Sequence, residues 1–122
     1  MGKQLSEHFN EDEFRCKCCG KLPEHGMDPE LVEKLELLRA GVGKPLYILS
    51  GYRCGKHNAE VGGAPRSQHL LGKAADIAAA RIGVDTLARA AERAGFRGIG
   101  RYRRQGFVHV DVRLGKARWE GK

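Results

Sequence analysis

Ser67-Gln68-His69-Leu70-Leu71-Gly72-Lys73-Ala74-Ala75-Asp76 is the stretch from which the rest of the chain can be read, and Gly106-Phe107-Val108-His109-Val110-Asp111 completes it further along. His69, Asp76 and His109 are two histidines and a carboxylate, a three-ligand set suited to zinc. Three protein ligands leave a fourth position for water, which separates a catalytic zinc site from a structural one. Gly72, Ala74 and Ala75 are small and let the backbone turn tightly from a loop into a strand. His109 must then arrive from a neighbouring strand, so only a folded sheet unites the three. The competing reading is a buried Asp76 hydrogen-bonded to two structural histidines. It leaves the spacing of glycine and alanines without a reason.

The pattern Ser-x-His-x-x-Gly-x-Ala-x-Asp, followed by a later His after an apolar pair, resembles the zinc D-Ala-D-Ala peptidases. This M15-type group of the LAS peptidases shares its core with the hedgehog signalling domain. Ser50-Gly51-Tyr52-Arg53, His57-Asn58, Gly62-Gly63, Gly98-Ile99-Gly100 and the late Trp119 are similar to small single-domain members. The resemblance implies zinc on His69, Asp76 and His109, and hydrolysis of a peptide bond by water activated on the metal. It also implies an arginine, here Arg53, that binds substrate and stabilises the developing oxyanion, a task suited to a planar, permanently charged fork. Ser67 either hydrogen-bonds substrate or orients its loop.

Many relatives place the general base three residues before the second histidine ligand, and here that residue is Gly106. Asp111 is the nearest carboxylate. It lies two residues after His109 on an expected strand and so shares its face. It is read as the base, with a role as partner of His109 or of an arginine as the alternative; Glu60 is a more distant candidate. His57 and Asn58 read as structural groups beside Arg53, and Tyr47, Phe96 and Trp119 as packing.

The 122 residues suit one domain, 1–122, large enough for a single core. No apolar run is long enough to span a membrane, and no signal segment is read at the start. The net charge of +7 suits attraction to an anionic polymer. No nucleic-acid motif accompanies the late arginines, so cell wall is the expected partner, nucleic acid is not, and a monomer is expected. Cys16, Cys18, Cys19 and Cys54 leave three readings open. A disulfide could join the cluster to Cys54, all four thiolates could hold a structural zinc, or the thiols could be free.

Asn10-Glu11-Asp12-Glu13 reads as a capped turn that carries Phe14 inward, and 20–28 as a loop. Asp28-Pro29 starts a helix with Leu31, Val32, Leu35 and Leu38 on its core face, ended by Gly41 and Gly43. Residues 45–50 and 73–79 read as strands, 57–64 as a short helix with a glycine-rich connection, and 85–94 as a helix capped by Gly95. Residues 96–102 and 107–113 suggest a hairpin. The sum is an α+β domain, helices on a mainly antiparallel sheet.

The function expected is zinc-dependent cleavage of peptidoglycan stem peptides or cross-links, as carboxypeptidase or endopeptidase. Small size and basic charge resemble phage or prophage lysis enzymes, made in the cytoplasm and acting at the wall or periplasm through assisted export. One rival is a non-enzymatic zinc module of the same fold, which Gly106 favours. Another is a basic nucleic-acid-binding domain with zinc on the cysteines.

Overall fold

The computed structural model describes residues 2–121, so Met1, which bears on the reading of the start, lies outside the described residues. Asp28 accepts the amide hydrogen of Glu30 and Pro29 takes the first helical turn, where its missing donor costs nothing. Helix α1 (Pro29–Val42) follows, with Leu31, Val32, Leu35 and Leu38 buried. Gly43, at φ 68°, ends it, whereas Gly41 lies inside the last turn and does not terminate the helix as expected. Full burial of each leucine contributes ~1.5–3 kcal/mol. Ahead of α1, Asn10 and Glu13 form a reciprocal capping box around the 3-10 turn Glu11–Phe14, which buries Phe14.

Five strands form one sheet: β1 (Tyr47–Ser50), β2 (Ala74–Ala78), β3 (Gly98–Tyr102), β4 (Phe107–Asp111) and β5 (Ala117–Glu120). Their spatial order is β1-β2-β4-β3-β5. The pairs β1–β2, β2–β4 and β3–β4 are antiparallel, and β5 runs parallel to β3. This is the α+β architecture expected, with a fifth strand that the sequence did not signal. The stretch Ala117–Glu120 is too short and too polar to stand out by alternation.

Helix α3 (Val84–Ala94) buries Leu87, Ala88, Ala90 and Ala91 and packs beside α1. Both helices share one core with Ala75, Ile77, Ile99, Val108 and Val110 of the sheet. Successive strand residues point to opposite faces. Asp76, His109 and Asp111 therefore lie on the face opposite Ala75, Ile77, Val108 and Val110. The short helix α2 (Gly55–Glu60) and the 3-10 turn Gln68–Leu71 lie along the chain between β1 and β2. Gly72 ends that turn at φ 70°, a conformation that favours glycine, and redirects the chain into β2.

Arg97 ties α1 to the end of β4. Its guanidinium donates to both oxygens of Glu30 at 2.8 and 2.9 Å, to the Val112 carbonyl at 2.7 Å and to the Arg113 carbonyl. The Arg97 hydrogen bonds lower the Glu30 pKa from 4.5 to about 2, with burial opposing and Lys34 assisting. A depressed folded-state pKa stabilises the fold above the unfolded value and loses that contribution as pH falls through the folded one. Both side chains are about a third exposed. Glu30→Gln should therefore cost no more than ~1 kcal/mol at neutral pH. Urea denaturation of the two proteins should converge as pH falls from about 4.5 to about 2. A constant difference across that window would refute the assignment.

Candidate metal centre

His69 sits in the 3-10 turn Gln68–Leu71, capped by the Ser67 hydroxyl, which accepts the His69 amide hydrogen at 3.2 Å. The residue is 1% exposed. Nδ1 lies 2.7 Å from the Gly51 carbonyl. A carbonyl only accepts, so Nδ1 carries the hydrogen and the lone pair of a neutral ring is on Nε2. That lone pair faces Asp76 Oδ1 at 3.2 Å. Asp76 on β2 stands directly across from His109 on β4. His109 Nε2 lies 2.7 Å from Asp111 Oδ2, and its Nδ1 lies 3.2 Å from the same Asp76 Oδ1.

With both imidazoles neutral, three lone pairs converge: Nε2 of His69, Nδ1 of His109 and Oδ1 of Asp76. A cation among them, either protons on the rings or a metal ion, stabilises such an arrangement. In the protonated arrangement burial pushes the His109 imidazole down, but hydrogen bonds to Asp111 and Asp76 outweigh it and raise its pKa. Burial likewise pushes the Asp76 carboxyl up, and the two histidines hold it well below the usual carboxylate range. The donor set also fits a metal. The three ligand atoms lie within 4.8 Å of one another. Tetrahedral ligands at about 2 Å from zinc are roughly 3.3 Å apart, close to the two 3.2 Å separations.

Arg53 lies beside this centre. It donates from Nη2 to Asp76 Oδ2 at 3.0 Å, from Nε to Ser50 Oγ at 3.2 Å and from Nη1 to Asn58 Oδ1 at 3.3 Å. Asn58 is buried and donates to the Ala64 carbonyl at 2.9 Å. Gly63 is required here because a Cβ would overlap the Asn58 amide and crowd Arg53. Arg53, Ser67 and the three candidate ligands line one cavity of ≈ 790 Å³.

Asp111 occupies a different place from the one expected of a base. It is fully buried and is not among the residues that line the cavity. One oxygen holds the outer nitrogen of His109, and both receive hydrogen bonds from Arg113, at 2.8 and 2.6 Å. Gly98 makes room for it, since a Cβ there would overlap the carboxylate. This position fits the alternative reading, a carboxylate that fixes the tautomer and direction of His109. Glu60 also does not line the cavity; it lies 3.9 Å from His57 Nδ1. Gly106 has φ 81° in the turn between β3 and β4, a conformation that disfavours an acid there.

The wall beside His109 was not anticipated. Trp119 of β5 lies over Gly100, where a Cβ would strike the indole. Its ring centre is 5.0 Å from that of His109, and Nε1 donates to Tyr102 Oη at 3.0 Å. Arg113 stacks 5.0 Å above the indole. The single tryptophan and the Gly98-Ile99-Gly100 run were the available signals, but a role at the cavity depends on the parallel pairing of β5 with β3.

The profile of the family Peptidase M15 matches residues 7–111. The zinc D-Ala-D-Ala carboxypeptidase of Streptomyces albus G is 42% identical over 64 residues, which is 52% of this chain and 25% of that protein. The peptidoglycan L,D-endopeptidase MepK of Escherichia coli (strain K12) is 35% identical over 93 residues, 70% of this chain and 51% of that protein. The chain thus spans between a quarter and about half the length of these relatives. The crystal structure of Serratia marcescens L-Ala D-Glu endopeptidase ChiX aligns with a TM-score of 0.46 at 26% identity, covering 57% of this chain and 62% of that one.

If Asp111 orients His109, Asp111→Asn should weaken zinc binding by roughly 10- to 100-fold. Gly98→Ala should shift affinity in the same direction by displacing that carboxylate. Competition against a chromophoric chelator measures both, and unchanged affinity in both variants would remove Asp111 from the centre.

Proposed function

The chain belongs to the peptidase M15 family, and on that footing we propose that it hydrolyses peptide bonds in peptidoglycan stem peptides or cross-links. In this reading His69, Asp76 and His109 hold one zinc ion, and a single domain carries the activity. The observation that carries it is the convergence of three lone pairs on the wall of an open cavity, beside a fixed guanidinium. Zinc bound there supplies a Lewis acid and lowers the pKa of water toward neutrality.

The Gly51 carbonyl and Asp111 hold the two imidazoles with their lone pairs inward. Arg53 is anchored by three acceptors and faces the cavity, so it can donate to a carbonyl oxygen as negative charge develops there, without reorganising. Ser67 accepts the His69 amide through its oxygen and keeps its hydroxyl hydrogen for substrate. The place of action in this reading is the cell wall, in a lysis enzyme of phage or prophage type. Among the described residues no helix is long and apolar enough to cross a membrane. The relatives' names point to two kinds of bond, a terminal D-Ala-D-Ala and an internal L,D linkage, and both belong to the substrate class proposed.

A second reading, a zinc-containing binding module of the same fold, is favoured by one observation. Among the described residues Asp76 is the only carboxylate lining the cavity, so no second acid is in place there as general base.

Purified peptidoglycan digested with the protein should release new muropeptides, identified by mass spectrometry. They should vanish with chelator and return with zinc. A zinc-loaded protein that cleaves nothing would overturn the peptidase reading in favour of the binding module. In an active protein, Arg53→Ala should retain zinc yet lose ~100-fold or more in turnover. Arg53→Lys should recover little of it, because a lysine lacks the planar fork. Wild-type turnover in the alanine variant would assign Arg53 to structure alone.

A further inference from the structure

A second group of ligating side chains lies where the N-terminal segment meets the start of α2. Cys16, Cys19 and Cys54 bring their sulfurs within 4.8 Å of one another. Cys18 lies near the Cys54 thiol but outside that mutual distance. Taken along the chain, Cys16-x-Cys18-Cys19 does not have the usual paired spacing. The structure selects Cys16 and Cys19, which have two residues between them and so match the spacing of structural zinc sites. The turn is closed by hydrogen bonds from the Cys16 amide to the Lys21 carbonyl at 2.9 Å and from the Gly20 amide to the Cys16 carbonyl at 2.8 Å. Gly20, at φ 70°, reverses the chain directly after Cys19.

Backbone N–H groups are aimed at the Cys16 and Cys54 sulfurs. Cys16 Sγ receives the Cys54 amide at 3.4 Å and also the amides of Cys18 and Cys19. Cys54 Sγ receives the His57 amide at 3.4 Å. Several N–H donors aimed at one sulfur favour thiolate over thiol. Thiolates gathered this closely repel one another unless a cation lies among them. A disulfide would join only two of the sulfurs and leave the others crowded beside the bond.

We propose that Cys16, Cys19 and Cys54 hold a second zinc ion, structural rather than catalytic, with the nearby Cys18 as its fourth ligand. Zinc–sulfur bonds of about 2.3 Å place tetrahedral sulfurs roughly 3.8 Å apart, within the observed spread. With Cys18 drawn in from beside Cys54, four thiolates would close the coordination shell and leave no position for water. The site joins residues 16–19 to Cys54, the residue directly after Arg53. The same joint carries a hydrogen bond from the Tyr52 amide to the Phe14 carbonyl at 2.8 Å. The second zinc would therefore anchor the loop that presents Arg53. The proposal stands independently of the peptidase reading.

Elemental analysis of the protein purified without added metal should find two zinc ions per chain. His69→Ala should retain one, Cys19→Ser and Cys54→Ser should each retain one, and His69→Ala combined with Cys54→Ser should retain none. Should the cysteine variants fail to fold, His69→Ala loaded with cobalt(II) provides the reading. Intense thiolate-to-cobalt charge-transfer absorption supports the site, and its absence overturns it. A His69→Ala protein free of zinc, iron in place of zinc, or an unreduced mass two units light from a disulfide would each also overturn it. Failure of the first site appears differently, as one zinc in the wild type that the cysteine variants lose and His69→Ala keeps.

Discussion

The contact on which the site depends is the pairing of Asp76 with His109 across the β2–β4 ladder. Antiparallel pairing puts two opposed side chains on one face of the sheet at close range. The neighbours Ala75, Ile77, Val108 and Val110 point the other way into the helix-covered core. The hydrophobic set and the ligand set are therefore one constraint. A slip of one residue would bury the carboxylate among α1 and α3 and expose the valines, so the core enforces the register that the site requires.

Around that pair the remaining groups act as orienting partners. The Gly51 carbonyl and the Asp111 carboxylate hold the outer nitrogens of the two imidazoles, so both lone pairs turn toward Asp76. Arg53 neutralises the other Asp76 oxygen and is itself held by Ser50 and Asn58. The glycines at 63, 98 and 100 are empty space used by a neighbour: the Asn58 amide, the Asp111 carboxylate and the Trp119 ring. Preorganisation of this kind lets a site stabilise developing charge without moving.

The segment ahead of α1 joins the same wall through Cys16, Phe14 and the loop 51–54. It contributes Phe9 and Phe14 to the main core while its cysteines gather beside Cys54. The wall that carries Arg53 thus receives support from a region remote in sequence from every candidate catalytic residue.

Much was legible in the chain itself. Asp28-Pro29 and Gly43 bound α1 because a cap, a fixed φ and a left-handed stop are local chemistry. His69, Asp76 and His109 stood out as a candidate ligand set because those residue types surround small residues at the entry to a strand, and the fold brings the three together. Arg53, Ser67 and the three candidate ligands line one cavity. Three matters needed the fold. Asp111 shares a strand face with His109, but only the position of Arg113 and the space at Gly98 turn its carboxylate away from the cavity. Trp119 reaches His109 only because β5 pairs in parallel with β3, a contact with no local signature. The pairing of Cys16 with Cys19 rather than Cys18 follows from the turn at Gly20 and the approach of Cys54. The sequence by itself determined the chemistry available and the periodicities that place it on a sheet. The tertiary structure decided which atoms face one another, because direction and distance between remote strands are set by packing and register rather than by neighbours along the chain.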